Sequence, residues 1–180
     1  MDLNSDKVII SVTGRDRPGI LAAISRVLLE RGCNLENVSQ TILQSVFGAL
    51  FLVSKPQTLD IAALQAAIEK GIKDFELDVH VARFDAGEEA AEPLPSEAFI
   101  ITATGPDRKG LVHAITSVLA EHGINVTNLQ AAFRGGDEPG SNSMIFQVDV
   151  PASANLPALI ADLEHSAGRA GLDINIQHRK

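Results

Sequence analysis

Two short stretches of this sequence carry the residue types that a small charged ligand requires. They read T-G-R-D-R-P-G over residues 13–19 and T-G-P-D-R-K-G over residues 104–110. Each follows an apolar run typical of a strand and precedes a helical pattern, so the unpaired N–H groups of a first helical turn would lie beside it. Those N–H groups suit a carboxylate, and the aspartate suits an ammonium group. The pattern therefore indicates a site for a free amino acid.

Asparagines extend this pattern at the far end of each helix. Asn34 and Asn125 come just after the glycines that would end the two helices, and their amides can both donate and accept hydrogen bonds. The loop glycines Gly14, Gly19, Gly105 and Gly110 would let the backbone turn tightly and let a ligand approach it.

A purely structural interpretation of the same residues stays open. Asp16 would then cap the helix by accepting a hydrogen bond from the N–H of Gly19. Asn34 would only tolerate a left-handed backbone after Gly32. Because strand–glycine–helix junctions with a capping aspartate are common, the spacing alone favours this interpretation.

The sequence contains one small unit twice. Residues 9–37 and 100–128 are identical at about half of their aligned positions. Their spacing of roughly 90 residues is too long for a solenoid, whose repeats run to about 20–50 residues. The repeat predicts two domains, 1–84 and 98–180, joined by a linker at 85–97 that is rich in Glu, Ala and Pro.

Each unit has the predicted element order βαββαβ, read from β-rich runs and from apolar stripes at helical spacing. The predicted helices are Arg17–Arg31, Thr58–Ile72, Arg108–His122 and Leu156–Ala167. Gly32 stands where a left-handed residue would end the first helix. The order predicts an α+β fold of two ferredoxin-like modules, each a four-stranded antiparallel sheet with two helices on one face. The second copy also inserts a polar segment, Arg134–Ser143, which predicts a mobile loop.

Composition and charge argue against several classes of function. The apolar share of 45% supplies a core, whereas the net charge of −8 argues against binding to a nucleic-acid backbone. The single cysteine, Cys33, excludes a disulfide framework within the chain, and no apolar run approaches the ~20 residues of a membrane span. We therefore expect a cytoplasmic protein with no direct nucleic-acid or membrane partner.

The duplicated T-G-x-D-R-x-G-(I/L)…G-x-N-x-x-N motif within a βαββαβ order resembles the ACT domain, a regulatory module that binds amino acids. Two copies that fill nearly the whole chain resemble the glycine cleavage system transcriptional repressor group. In this family, effectors bind between the first strand–helix loop of one module and the start of the second strand of its neighbour. The resemblance implies ten ligand-binding residues: Gly14, Asp16, Arg17, Gly19 and Asn34, with Gly105, Asp107, Arg108, Gly110 and Asn125.

The resemblance also implies what this protein does. We expect a non-enzymatic regulatory protein that binds a small amino acid, such as glycine or serine, between its two modules and signals through a regulator protein or an enzyme. We expect a homodimer, because bare sheet edges tend to pair, and no catalytic residue, metal or cofactor. Pro18, expected in the first helical turn, is replaced by Lys109 in the second copy, so the two sites need not bind equally well.

Two other classes of function stay open. An adaptor would bind a regulator through an exposed sheet face and would have no small-molecule ligand. An acylphosphatase-like enzyme would use Arg17 and Asn37, the residue types of that family, although its glycine-rich signature is not matched. The lack of Trp and Tyr disfavours an RNA-recognition domain, and the histidines show no metal-ligand spacing.

Overall fold

The chain divides into two compact units, Met1–Glu88 and Glu89–Lys180. The computed structural model describes residues 5–84, which we call module 1, and residues 95–133 and 142–179, which we call module 2. Most of the predicted linker lies outside the described residues, although its last two residues, Ser96 and Glu97, belong to a strand. Residues 134–141 of the inserted segment also lie outside the described residues.

Module 1 contains four strands and two helices in the predicted order, with a short 3₁₀ helix before the last strand. Its elements are β1 (Ser5–Arg15), α1 (Ile20–Glu30), β2 (Asn34–Leu43), β3 (Val46–Pro56), α2 (Ile61–Gly71), the 3₁₀ helix Lys73–Phe75 and β4 (Leu77–Arg83). Module 2 repeats this order. Its elements are β5 (Ser96–Gly105), α3 (Leu111–Glu121), β6 (Asn125–Phe133), β7 (Asn142–Pro151), α4 (Leu156–Ala170) and β8 (Asp173–His178).

Each module has one antiparallel sheet with both helices on the same face. The strand orders are β2-β3-β1-β4 and β6-β7-β5-β8. In module 1, alternate strand residues such as Ile10 and Phe51 form one core with Ile24 of α1 and Leu64 of α2. Because strand side chains alternate between faces, the same alternation leaves the opposite face of the sheet without a helix. The predicted ferredoxin-like α+β fold is therefore confirmed.

The first helix of each module begins three residues later than predicted. Gly19 and Gly110 have backbone φ angles of 98° and 90°, which are left-handed and cannot belong to a right-handed helix. The sequence pattern therefore predicted a helix over residues that belong to the loop before it. Pro18 lies in the turn before α1, so its expected place in the first helical turn was wrong.

The ends of these helices follow the prediction. Gly32 has a φ of 69°, and the N–H of Cys33 donates to the carbonyl of Leu28 over 2.9 Å. Gly123 and Ile124 repeat this arrangement in module 2, with a distance of 2.8 Å to the carbonyl of Leu119. A left-handed glycine stops each helix at the same place and directs the chain into the second strand.

Candidate functional site

The loop between β1 and α1 lies beside the turn that joins β2 to β3. Arg15 at the end of β1 pairs with Val46 at the start of β3, which in turn pairs with Leu43 at the end of β2. The backbone N–H of Asp16 donates to the carbonyl of Ser45 in that turn over 2.9 Å. The loop is thus fixed by the antiparallel register of the sheet.

The aspartates of the motif do not cap the helices. The N-cap positions are Gly19 and Gly110, and neither helix has a side-chain capping bond, whereas Asn155 caps α4 by accepting from the N–H of Ala158 over 3.2 Å. Within the described residues, no hydrogen bond or ion pair reaches the carboxylate of Asp16 or Asp107. The capping interpretation is therefore wrong for both aspartates. Each carboxylate and the neighbouring first-turn N–H groups remain available to a ligand.

Gly14 and Gly105 serve close packing within their own modules. Gly14 is the penultimate residue of β1 and Gly105 is the last residue of β5, so neither lies in the turn that the sequence predicted. A Cβ on Gly14 would lie 2.6 Å from Cδ2 of Leu77 and 3.1 Å from the carbonyl oxygen of Glu76. A Cβ on Gly105 would lie 2.7 Å from the carbonyl oxygen of Gly171. The close approach of the segment before the last strand thus requires glycine at both positions, and their assignment as ligand-binding residues stays a prediction.

Gly19 and Gly110 are glycines for a different reason. Their left-handed φ angles are costly for residues with a Cβ. A Cβ on Gly110 would meet no atom within 4 Å, whereas a Cβ on Gly19 would lie 3.6 Å from Cζ of Phe75. The assignment of both glycines as ligand-binding residues stays a prediction.

The arginines of the motif contact the same segment that packs on the strand glycines. Nη1 of Arg17 donates to the carbonyl of Asp74 over 3.2 Å, and its Nη2 lies 3.4 Å from Oε2 of Glu76. In module 2, a Cβ on Gly171 would lie 3.3 Å from Nη1 of Arg108. Arg17 thus holds the loop against the chain that enters the last strand, and the Arg108 guanidinium lies near the corresponding segment of module 2. The assignment of both arginines as ligand-binding residues stays a prediction.

A pocket of about 340 Å³ opens beside the loop of module 1. It is lined by Asp16, Arg17, Gly19, Ile20, Leu21, Ala22, Gln40, Ile42 and Phe47. Three of the predicted residues therefore lie together, joined by side chains of α1, β2 and β3 that the sequence analysis did not single out. Gln40 and Ile42 pair with Ala49 and Phe47, so they face the same side of the sheet as the helices. The alternation along the second strand was the signal that could have identified them.

The predicted asparagines lie at the opposite end of each module from the loop. Asn34 pairs with Ser54, nine residues along β2 from Leu43, which corresponds to about 30 Å of extended chain. Asn125 pairs with Asp149 in the same way. A module thus does not bring its own asparagine to its own loop. Their role in ligand binding stays a prediction, and it requires a second module.

A charged cluster surrounds the start of β2 and has no counterpart at the start of β6. Glu36 occupies a β-bulge, where its carboxylate lies 2.7 Å from Nζ of Lys7 and accepts a hydrogen bond from the hydroxyl of Ser54. These bonds, first the one from Lys7 and then the one from Ser54, lower the pKa of the Glu36 carboxyl. The residue at the bulge of module 2 is Thr127, whose hydroxyl donates to the carbonyl of Gln147 over 3.1 Å.

The remaining candidates offer little chemistry. Burial raises the pKa of the Cys33 thiol, which disfavours its reactive thiolate form. No group of His, Cys, Asp or Glu within the described residues could hold a metal ion.

Asn37 lies on the helix-free face of β2, where it pairs with Leu52, and it is separated from the pocket. Arg17 and Asn37 therefore do not form the shared site that an acylphosphatase-like reaction requires.

The fold and the pocket together define a class of protein. Its members contain two small α+β modules in tandem, with an open loop between the first strand and the first helix. The sequence profile of the ACT domain matches residues 6–82 and 97–177, and the chain belongs to the ACT-domain family.

Several relatives match one or both modules. A UPF0237 protein of Methanocaldococcus jannaschii is 38% identical over 80 residues, which cover 44% of this chain and 89% of the relative. The phosphoserine phosphatase SerB2 of Mycobacterium tuberculosis is 29% identical over 173 residues, which cover 94% of this chain and 40% of the phosphatase. More than half of that enzyme thus lies outside the match.

Two solved structures share the fold over the whole chain. A protein of unknown function from Galdieria sulphuraria has a TM-score of 0.79 at 24% identity and covers 98% of this chain and 99% of its own. A candidate glycine cleavage system transcriptional repressor has a TM-score of 0.73 at 17% identity and covers 98% of each chain. Within the described residues, no helix is both long and apolar enough to cross a bilayer.

Proposed function

We propose that this protein is a non-enzymatic regulator that binds a small free amino acid at the pocket of module 1 and signals its presence to a partner protein. Membership of the ACT-domain family supports a regulatory role. The ligand carboxylate would accept hydrogen bonds from the first-turn N–H groups of α1, and the ligand ammonium would bind Asp16. The same arrangement around Asp107 offers a second site in module 2.

One observation carries this proposal. The pocket places the carboxylate of Asp16, which has no partner among the described residues, beside a helix N-terminus that no side chain caps. The two ends of a free α-amino acid need these two opposite charges at close range. Charge-assisted hydrogen bonds contribute about 1.5–3 kcal/mol each, and three or four of them, less the cost of association, correspond to a Kd between ~1 μM and ~1 mM.

A second module would complete the site. Asn34 and Asn125 lie at the sheet ends remote from their own loops, so each would reach a ligand only in a neighbouring module. The neighbour is either the other module of the chain or that of a second copy, which agrees with the expected homodimer. Occupancy would change how the modules pack, and a regulator protein or enzyme in the cytoplasm would recognise that change.

A thermal-shift screen of the full chain against the common amino acids at ~10 mM tests the proposal. A ligand with a Kd near 100 μM would stabilise the folded state by about 2.7 kcal/mol and raise the Tm by about 5–10 °C. The rise should be lost in an Asp16→Asn, Asp107→Asn double variant. If no amino acid raises the Tm of the unaltered chain, the small-molecule site is refuted.

The adaptor alternative has its own supporting observation. Leu43, Val46 and Leu50 are large apolar side chains on the helix-free face of the module 1 sheet, and each is at least half exposed. An exposed apolar surface of this kind is typical of a protein-binding site. If the amino-acid screen fails, this face is where a partner protein should bind.

A further inference from the structure

The pocket of module 1 extends beyond its charged end, along apolar side chains of α1, β2 and β3. Its volume of about 340 Å³ leaves room for several water molecules. Glycine or serine would occupy the charged end of the pocket and leave water against the remaining walls. Water against apolar walls is unfavourable, so a ligand group that displaces it would bind more tightly.

Apolar side chains form those remaining walls. Leu21 of α1 and Ile42 of β2 keep 41% and 50% of their surface exposed, although both line the pocket. Ile20 and Phe47, which also line it, are almost fully buried. The charged groups of Asp16 and Arg17 belong to the loop, whereas Ile42 lies on the edge strand. The pocket therefore combines a charged part for the α-amino and carboxyl groups with an apolar part for a side chain.

We propose that module 1 selects a free amino acid with a branched aliphatic side chain, and that Leu21 and Ile42 determine this specificity. The inference rests on the proposed function, because it assigns the ligand class of the same site. Each fully buried methylene multiplies affinity by about four. Leucine has four more carbons than glycine, and burial of about half of each in this open pocket predicts at least about ten-fold tighter binding than glycine.

Module 2 repeats this lining only in part. Ala131 stands at the position of Gln40, and the buried Asn142 stands at that of Phe47, as the strand registers show. His113 replaces Ala22 in the first helical turn. The wall that corresponds to Phe47 is thus polar. Val112 and Phe133 stand at the positions of Leu21 and Ile42, so the two modules differ at the positions of Gln40 and Phe47 and share an apolar residue type at the other two.

Calorimetric titration of the full chain with glycine, serine, alanine, valine, isoleucine and leucine tests the inference. Leucine or isoleucine should bind at least about ten-fold more tightly than glycine, and Ile42→Thr should reduce this ratio about five-fold or more. Leu50→Thr is the matched control, because Leu50 is 52% exposed on the adjacent strand but faces the helix-free side of the sheet. It should leave the ratio unchanged, and equal melting temperatures would show that both variants fold.

The outcomes separate this inference from the proposed function. Glycine or serine binding as tightly as leucine would overturn the aliphatic preference and leave the amino-acid sensor intact. An aliphatic preference that survives Ile42→Thr, or that Leu50→Thr reduces equally, would overturn the assignment to this pocket. No heat with any of the six amino acids would overturn the inference, and no thermal shift with any of the common amino acids would refute the proposed function as well.

Discussion

Module 1 and module 2 share their backbone framework but differ in the side chains at both ends of the sheet. The strand glycines, the left-handed glycines and the loop aspartates occur in both modules, and the strand glycines pack against the corresponding segment in each. The pocket walls and the bulge residues differ, since Gln40, Phe47 and Glu36 correspond to Ala131, Asn142 and Thr127. The comparison teaches that the repeated motif builds the same loop in both modules, whereas the residues around the loop differ between them.

The strand glycines test the shared framework, and their substitution should have the largest effect. Gly14→Ala and Gly105→Ala should each lower the free energy of unfolding by about 2–4 kcal/mol, because the new Cβ would overlap the segment before the last strand. Urea denaturation of each variant measures the effect. Gly168→Ala in α4 is the control, where a Cβ meets nothing within 4 Å and should stabilise the helix by about 0.5–1 kcal/mol. Unchanged stability in both strand variants would contradict the packing role.

The loop aspartates test which module binds the ligand. Asp16→Asn should weaken binding at module 1 by about 1.5–3 kcal/mol, because it removes the charge that holds the ligand ammonium. Asp107→Asn should do the same only for a ligand in module 2, and calorimetry on both variants separates the sites. Neither change should alter the free energy of unfolding by more than about 0.5 kcal/mol, since neither carboxylate caps a helix. A larger loss of stability would revive a structural role for the aspartates.

The ion pair between Lys55 and Asp6 tests a difference between the modules. Nζ of Lys55 lies 3.3 Å from Oδ2 of Asp6, with side chains that are 5% and 40% exposed, and Val150 occupies the corresponding place in module 2. Asp6→Asn should cost about 1–2 kcal/mol, because it leaves the buried ammonium without its carboxylate. Lys55→Val should be neutral or stabilising by up to about 1 kcal/mol, because Asp6 can be solvated. Thermal denaturation compares them, and a larger loss from Lys55→Val would contradict this account.

The Glu36 cluster should give the smallest effect, and it depends on pH. Because Lys7 and Ser54 lower the pKa of Glu36 in the folded state, its contribution is complete above the unfolded-state pKa of about 4.3 and is lost as the pH falls through the folded value. Below about pH 4.3, the unaltered chain should therefore lose stability more steeply than Glu36→Gln. Urea denaturation from pH 6 to pH 3 measures both slopes. Thr127→Val at the bulge of module 2 should leave the pH dependence unchanged, and equal slopes for the unaltered chain and Glu36→Gln would contradict the pKa shift.

The sequence alone determined the number of modules, their element order and the helix C-termini. These features depend on residues that are close in the chain: the stripe from Ile20 to Leu28, the alternation in the strands, and a glycine such as Gly32 after each helix. Apolar periodicity and local backbone preference are properties of short segments. The α+β fold could therefore be predicted before any contact was known.

Only the tertiary structure decided where each candidate site residue lies and what it contacts. It assigned Gly14 to packing against Leu77, and it placed Asn34 at the far end of the sheet from Asp16. It also brought Gln40 and Ile42 to the loop and left Asp16 uncapped. Each of these facts depends on strand register and on contacts between residues far apart in the chain. A local pattern contains no information on them, because the same motif is compatible with a capped helix and with an open binding loop.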